Sequence, residues 1–175
     1  MSIISIDNRD EVFAMTATLP QRDLHILITD DDPNMRAMLR EIVEAVGAFK
    51  THLAANGNEA CEIAQSETVH LALLDYQMPQ LTGMETLQLL RQMQEVLPAI
   101  LITADATLEL VRKAMNAQFY SVIPKPFSKN VVTTTVVRAL IRFYGDNVVE
   151  NPKNGEPPAS KPAEPAATTP DKPLQ

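Results

Sequence analysis

The sequence predicts an α/β fold built on a five-stranded parallel sheet that is doubly wound, with helices on both faces. Strand-like runs alternate with helix-like stretches five times between Asp23 and Tyr144. Such alternation is typical of right-handed βαβ crossovers, which place the strands parallel in one sheet. The strand-like runs are almost continuously apolar, as strands covered on both faces require. With 45% hydrophobic residues among 175, the chain can bury one domain-sized core.

Local patterns indicate the individual elements. The predicted strands are 24–29 (LHILIT), 49–54 (FKTHLA), 69–74 (VHLALL), 99–103 (AILIT) and 121–124 (SVIP). Gly47 follows the first predicted helix at a position suited to a left-handed cap, and Asn56-Gly57 marks a turn before the second helix. The first helix is indicated by apolar residues at the spacing of one helical face, namely Met35, Met38, Leu39, Ile42, Val43 and Val46.

The two ends of the chain differ from this central region. Residues 146–175 contain seven of the 13 prolines and no aromatic residue. They bury too little apolar surface to offset the entropy cost of ordering, so a Pro-rich disordered tail is expected. Residues 1–22 are more apolar, and the Leu19-Pro20 pair marks a boundary. We expect an N-terminal extension, partly ordered at most, that docks on a domain spanning residues 23–145.

The composition excludes several functions. A net charge of −7 and a pI near 4.9 argue against nucleic-acid binding, which needs clustered Lys and Arg. The single cysteine, Cys61, excludes an internal disulfide and a multi-cysteine zinc site. No apolar run approaches the ~18 residues of a membrane helix and no signal peptide is evident, so no membrane contact and a cytoplasmic location are expected. The spacing of His25, His52 and His70 predicts structural roles rather than a metal site.

Polar side chains stand at the ends of the predicted strands. Carboxylates at residues 30–32 follow the first strand, Asp75 follows the third, Thr103 ends the fourth and Lys125 follows the fifth. Parallel strands present these ends at one edge of the sheet, where ligands bind. Crowded carboxylates need a counter-charge, which Mg²⁺ with its preference for oxygen ligands supplies. Asp75 is then suited to accept a phosphoryl group as an aspartyl phosphate, with Thr103 and Lys125 contacting its oxygens.

Residues 24–144 resemble the receiver domain of two-component response regulators. The resemblance rests on four motifs in order, which are ILITDDDP (26–33) with Arg36, LLDYQMPQLTG (73–83), ILITAD (100–105) and PKPF (124–127). One such motif occurs by chance, whereas four at the right strand ends are specific. The resemblance implies a flavodoxin-like (βα)5 receiver fold and a single-domain, stand-alone response regulator. It implies no enzyme, at most slow self-dephosphorylation.

The resemblance also implies which residues hold the phosphoryl group and the metal ion. Asp75 would be phosphorylated by a histidine kinase or a phosphotransfer protein, and a downstream target protein would respond. Asp31 and Asp75 would bind Mg²⁺ directly, Asp30 mainly through metal-bound water, and Gln77 through its backbone carbonyl. The residues 30–32 have a simpler explanation as caps of the first helix, because carboxylates favour a helix N-terminus. For Asp32 this explanation is preferred.

The resemblance assigns the remaining residues to phosphoryl binding and to turns. Thr103 would donate a hydrogen bond to the phosphoryl group, and Lys125 would pair with it. Pro79 and Gly83 would shape the loop beneath Asp75, with Gly83 available for a positive φ. The Lys125-Pro126 bond would be cis.

The chain departs from the family pattern in the strand before Lys125. The usual switch aromatic is replaced by Val122, and the usual Gly-Ala by Gln118-Phe119. Tyr120 is the alternative switch aromatic, because alternation along a strand would place residues 120 and 122 on one face. These departures motivate an alternative function, a receiver-fold docking module that works without phosphorylation. A haloacid-dehalogenase-type phosphohydrolase is disfavoured, because its second acid would stand at Gln77.

Output would come through protein contacts, and the fifth helix offers a candidate surface. Its apolar stripe is broader than packing on a sheet requires, which indicates a partner or homodimer surface. The alternative is that the N-terminal extension covers it. Arg138 and Arg142 lie on the remaining face, and the stripe comprises Val132, Val136, Val137, Ala139, Leu140, Ile141, Phe143 and Tyr144.

Overall fold

The structure, a computed structural model, describes residues 12, 14–17, 19, 23–47 and 49–145. From residue 24 onward, strands and helices alternate in five βα units. The strands are β1 (Leu24–Thr29), β2 (Phe49–Ala54), β3 (Leu71–Asp75), β4 (Ala99–Thr103) and β5 (Ser121–Pro124). The helices are α1 (Pro33–Glu44), α2 (Gly57–Ser66), α3 (Gly83–Met93), α4 (Leu108–Asn116) and α5 (Lys129–Tyr144). Four strands have their predicted bounds, whereas β3 begins two residues later and includes Asp75.

The five strands form one sheet in the order β2-β1-β3-β4-β5, and all neighbours are parallel. The predicted fold class is therefore confirmed. The chain first moves outward from β1 to β2 and then returns past β1 to β3. This reversal leaves a crevice outside the carboxyl ends of β1 and β3, which is where sheets of this kind bind ligands.

Alternation along the strands divides the core into two layers. The first core layer packs under α1 and α5, and the second packs under α2, α3 and α4. β3 and β4 are buried at every position, which explains why their sequences are apolar without a break. The strand residues of the first layer are Leu24, Ile26, Ile28, Leu71, Leu73, Ile100, Ile102 and Ile123. Those of the second layer are Leu27, Ala54, Ala72, Leu74, Ala99 and Leu101.

Each helix begins at a polar side chain that accepts a hydrogen bond from a backbone N–H group of the first turn. Asp32 does this for α1, accepting from the N–H of Asn34 at 2.9 Å, and Pro33 is the first helical residue. The preferred interpretation of Asp32 as a helix cap is thus confirmed. Caps of this kind contribute about 1 kcal/mol each, and the other four are Asn56, Thr82, Thr107 and Ser128.

The predicted left-handed conformation of Gly47 and Gly83 is wrong, since no described glycine has a positive φ. The C-cap of α1 is Ala45 with a φ of −69°, and positive φ angles occur instead at Gln80 (72°) and Gln118 (59°). Gly83 is needed for a different reason. A Cβ atom there would lie 2.3 Å from the backbone carbonyl oxygen of Asp75, so only glycine allows this close approach.

The predicted stripe of α5 is largely buried within the domain. Its buried residues are Val132, Val136, Val137, Ala139 and Leu140. Leu19 of the N-terminal extension packs against the first core layer, and Val12 is buried. The tail predicted for residues 146–175 lies outside the described residues, and the boundaries proposed for the three segments stay predictions. None of the described helices is long and apolar enough to cross a membrane.

Replacing Leu90 with alanine tests the second core layer. Leu90 is fully buried in α3, so the variant is expected to lose about 2–5 kcal/mol of unfolding free energy through lost burial and a cavity. Met115 on α4 is 56% exposed, and Met115→Ala is the control, with an expected change within about 0.5 kcal/mol. Urea unfolding measures both variants, and equal losses would contradict the assignment of Leu90 to the core.

Candidate functional site

Three of the predicted site residues meet outside the carboxyl ends of β1, β3 and β5. The ammonium Nζ of Lys125 lies 2.8 Å from Oδ2 of Asp30 and 2.7 Å from Oδ1 of Asp75. The side chains of Asp30 and Asp75 are only 1% and 6% exposed, and that of Lys125 is 20% exposed. One ammonium group therefore bridges two buried carboxylates at the crevice between β1 and β3.

Sheet register and side-chain alternation produce this convergence. Thr29 is paired with Leu74, so continuing the parallel register sets Asp30 beside Asp75. Asp30 and Asp75 also continue the alternation of Ile28 and Leu73, which belong to the first core layer. Lys125 follows Ile123 in the same way. The three side chains therefore leave their strands on the same side of the sheet.

The charges at this site do not balance. Burial raises the pKa of Asp75, and the carboxylate of Asp30 adds to this effect, although Lys125 and the N–H of Gln77 oppose it. Burial lowers the pKa of Lys125, but its hydrogen bonds to Asp30 and Asp75 and their charges raise the pKa overall. Lys125 is therefore protonated at neutral pH. A single positive charge serves two carboxylates, so the site retains an attraction for a further cation.

The loop after β1 is organised around Asp30. The backbone N–H of Asp32 donates to Oδ1 of Asp30 at 2.9 Å. Nη1 of Arg36 donates to the backbone carbonyl oxygens of Asp30 at 2.7 Å and Asp31 at 3.1 Å. Asp31 is exposed. Arg36, which the motif comparison had included without assigning a role, thus holds the turn that carries the acidic residues.

The oxygen donors at this site fit a hard divalent cation. Asp30, Asp31 and Asp75 offer carboxylates, and the N–H of Gln77 donates to Oδ2 of Asp75 at 2.8 Å, which holds the Gln77 backbone beside Asp75. Among the described residues, these three carboxylates do not form a group with donor atoms all within 4.8 Å of one another. Binding one ion through all three carboxylates would therefore require a rearrangement of side chains at this site.

Thr103 is buried at the end of β4, where its hydroxyl is engaged by the following loop. The hydroxyl accepts from the N–H of Asp105 at 3.0 Å and donates to the carbonyl oxygen of Asp105 at 3.3 Å. The backbone N–H of Lys125 donates to the carbonyl oxygen of Thr103 at 2.7 Å, which ties the two strand ends together. Sequence reasoning assigned no role to Asp105, although it stands inside the motif that carries Thr103.

Tyr120 and Val122 lie in different core layers. Tyr120 packs against the first layer and contacts Phe143 edge to face, with ring centroids 6.3 Å apart. Val122 packs against the second layer and is paired with Leu101. The expectation that residues 120 and 122 share a face is wrong, because Tyr120 precedes β5 and strand alternation does not yet apply. A switch role for Tyr120 stays a prediction, and its packing does not favour it.

The predicted turn residues close the loop beneath Asp75. The N–H of Gly83 donates to the carbonyl oxygen of Tyr76 at 3.1 Å, and the N–H of Leu81 donates to that of Pro79 at 2.9 Å. The Lys125-Pro126 peptide bond is cis, as the resemblance implied. These contacts place α3 directly after the loop that carries Asp75 and Gln77.

Comparisons with known proteins agree with this geometry. The family model described as response regulator receiver domain matches residues 26–137. A 14.6 kDa uncharacterized protein of Leptolyngbya boryana is 38% identical over 74% of this chain and 98% of that protein. Sporulation initiation phosphotransferase F of Bacillus subtilis (strain 168) is 30% identical over 66% of this chain and 92% of that protein.

A solved structure shows the same fold. A CheY-like response regulator receiver domain protein from Methanospirillum hungatei JF-1 is 26% identical, with a TM-score of 0.65, over 69% of this chain and 96% of that chain. By contrast, the chain spans 25% and 56% of the length of two other curated regulators that it matches.

Removing the Asp75 charge tests the electrostatics of the site. The raised pKa of Asp75 means that its protonated form favours folding below the pKa of the unfolded chain, and that this contribution is lost as the pH rises through the folded pKa. In Mg²⁺-free buffer, Asp75→Asn is therefore expected to be more stable than the wild type at pH 7. The difference should vanish below about pH 4.

Urea unfolding across this pH range measures the effect. Asp23→Asn, at an exposed position, is the control for a general effect of net charge. A wild type that is more stable than Asp75→Asn at pH 7 would show that Lys125 outweighs burial in setting the pKa of Asp75.

Proposed function

We propose that this chain, which belongs to the response regulator receiver domain family of two-component signalling, accepts a phosphoryl group on Asp75 and signals through protein contacts. Domains of this family are phosphorylated on an aspartate and act as signalling modules rather than classical enzymes. The observation that carries the proposal for this chain is the Asp75–Lys125–Asp30 bridge at the crevice of the sheet.

The bridge prepares Asp75 for nucleophilic attack. Its two oxygens are held by Nζ of Lys125 at 2.7 Å and by the N–H of Gln77 at 2.8 Å, so the carboxylate has one orientation. In the transfer step, an Asp75 oxygen forms a bond to phosphorus. The bond from phosphorus to the donor breaks, and the leaving group, an imidazole for a phosphohistidine donor, takes the electron pair. Lys125 then pairs with the phosphoryl oxygens, whose negative charge replaces that of the free carboxylate.

Mg²⁺ is part of the proposal because one ammonium group faces two carboxylates, which leaves a net negative charge at the site. Receiver domains generally bind this ion at acidic residues. Here Asp31 and Asp75 would bind it directly, Asp30 through water, and Gln77 through its backbone carbonyl. When bound, the ion neutralises charge on the carboxylates and on the transferring phosphoryl group. The net negative charge of the Asp30, Asp75 and Lys125 group supports this assignment.

Thr103 is proposed to report the phosphorylated state. Its hydroxyl bonds to the backbone of Asp105 in the described structure, and phosphoryl oxygens at Asp75 offer it a stronger, charged acceptor. Exchanging one partner for the other would release the loop that follows β4. Since Val122 takes the place of a switch aromatic, this loop is the part of the domain best placed to carry the change to a partner.

The partners are proposed from the family. Receiver domains interact with histidine kinases or phosphotransfer proteins and with downstream targets. A stand-alone activity, a cytoplasmic location and a homodimer through α5 remain parts of the proposal. Burial of much of the α5 stripe reduces the surface available for a dimer, and Val131, an exposed apolar residue of α5, lies outside the stripe.

Labelling with acetyl phosphate tests the proposal directly. The wild type is expected to gain one phosphoryl group when Mg²⁺ is present and almost none after chelation, measured by intact mass spectrometry. Asp75→Asn should abolish labelling. Asp32→Asn is the matched control, because Asp32 belongs to the same acidic run but caps α1, and it should label like the wild type. Failure of the wild type to label, or labelling of Asp75→Asn, would overturn the proposal.

A docking module that works without phosphorylation is the second candidate. Two observations favour it, the packing of Val122 in the second core layer and the engagement of Thr103 by its own loop. Pull-downs with wild type and Asp75→Asn, each with and without acetyl phosphate, separate the two functions. Capture of a partner that depends on both Asp75 and phosphodonor supports the first candidate. Equal capture in all four samples supports the second.

A further inference from the structure

Two histidines and a glutamate meet on the far side of the sheet from Asp75. Nδ1 of His25 in β1 lies 3.2 Å from Nε2 of His52 in β2 and 3.8 Å from Oε2 of Glu67, the residue after α2. Within the part of the chain that the structure describes, this is the one group of three His, Cys, Asp or Glu residues with donor atoms within 4.8 Å of one another.

We propose that His25, His52 and Glu67 form a binding site for Zn²⁺, separate from the phosphorylation site. His25 stands five residues before Asp30 on β1, so about 17 Å of strand separates the two sites. No part of the receiver mechanism uses these three side chains. The sequence predicted structural roles for the histidines from their own spacing. Glu67, which the fold brings beside His25 and His52, was not part of that prediction.

The distances suit a tetrahedral ion. Zn–N bonds of about 2.0–2.1 Å at tetrahedral angles separate the donor atoms by about 3.3–3.4 Å. The observed separations of 3.2 and 3.8 Å are close to this value, and the third pair of donor atoms, on His52 and Glu67, lies within 4.8 Å. Two imidazoles and one carboxylate are a known zinc ligand set, with a fourth position left for water. Imidazole ligands also favour Zn²⁺ over Mg²⁺.

The sheet holds the two rings in place. Leu27 is paired with His52, so His25 and His52 lie on the same face of neighbouring strands. His70 holds the backbone of His25 through two hydrogen bonds. Nδ1 of His70 accepts from the backbone N–H of His25 at 3.0 Å, and the backbone N–H of His70 donates to the carbonyl oxygen of His25 at 2.8 Å.

The donor groups are available to an ion from solvent. Nε2 of His52 and Nδ1 of His25 share a hydrogen bond that a bound ion would replace. The side chain of His25 is 16% exposed and that of Glu67 is 39% exposed. An ion therefore has a path to the site without unfolding of the sheet.

Lys50 opposes the binding of a cation at this site. Its Nζ lies 3.7 Å from Oε2 of Glu67, so it competes for the carboxylate and repels a cation. Its side chain is 56% exposed, so replacement by glutamine is expected to leave the fold unchanged. Removing Lys50 should strengthen zinc binding, because the Glu67 carboxylate is freed and a positive charge beside the ion is lost.

The site would fasten the edge of the sheet. β2 is an edge strand with a sheet neighbour on one side only, and most of its residues are half-buried. An ion shared by β1, β2 and the end of α2 would join the strand to its neighbours. Because the ion binds the folded chain, it would raise the melting temperature in a concentration-dependent way.

Titration with ZnCl₂ tests the proposal on the full chain, pretreated with chelator and kept in excess Mg²⁺ to occupy the acidic site. Isothermal calorimetry is expected to show one Zn²⁺ per chain. Nitrogen-15 spectra should show shifts at Nδ1 of His25 and Nε2 of His52. Glu67→Gln should weaken binding at least ~10-fold and remove the rise in melting temperature. Lys50→Gln should strengthen binding.

Glu62→Gln is the matched control, because Glu62 is an exposed glutamate of α2, the helix that Glu67 follows, and is not one of the three proposed zinc ligands. It should bind zinc like the wild type. His25→Gln and His52→Gln should also lose binding. If either fails to fold, the comparison of Glu67→Gln with Glu62→Gln still decides the matter. No binding by the wild type, or equal affinities for those two variants, would overturn the proposal. Labelling of Asp75 does not depend on this outcome.

Discussion

Burial of the parallel sheet on both faces determines where the side chains of the strands and of the residues after them can go. Because its inner strands are buried on both sides, successive residues must enter opposite core layers, as Ile26 and Leu27 do in β1. Side chains just beyond the strands inherit this alternation. It sends Asp30, Asp75 and Lys125 to the same side of the crevice.

The charged side chains of the site, Asp30, Asp75 and Lys125, are largely buried. Two almost fully buried carboxylates share one ammonium, which leaves a negative site that attracts a cation and gives Asp75 a raised pKa. The proposed phosphoryl transfer would therefore act on a carboxylate whose negative charge is disfavoured by burial.

In the proposed function, a signal from Asp75 is transmitted without an aromatic side chain at residue 122. Val122 is small and packed, and Tyr120 belongs to the opposite core layer, where it contacts α5 through Phe143. In the proposed function, the element that responds is the loop of Asp105, whose backbone is hydrogen-bonded to the Thr103 hydroxyl. The histidine group sits at the other end of β1, so the two sites are joined by a single rigid strand rather than by a shared surface.

Local periodicity and side chains adjacent in the chain are enough to predict the five βα units, the residues at the strand ends and the cap at Asp32. The folded structure was needed to show that Lys125 bridges Asp30 and Asp75 and that Gly83 is required by the nearness of the Asp75 carbonyl. It also shows positive φ angles at Gln80 and Gln118, where the sequence had predicted them at glycines. It also brought His25, His52 and Glu67 together. These outcomes depend on the register between strands and on the path of each loop, which residues distant in the chain set jointly and which no local pattern encodes.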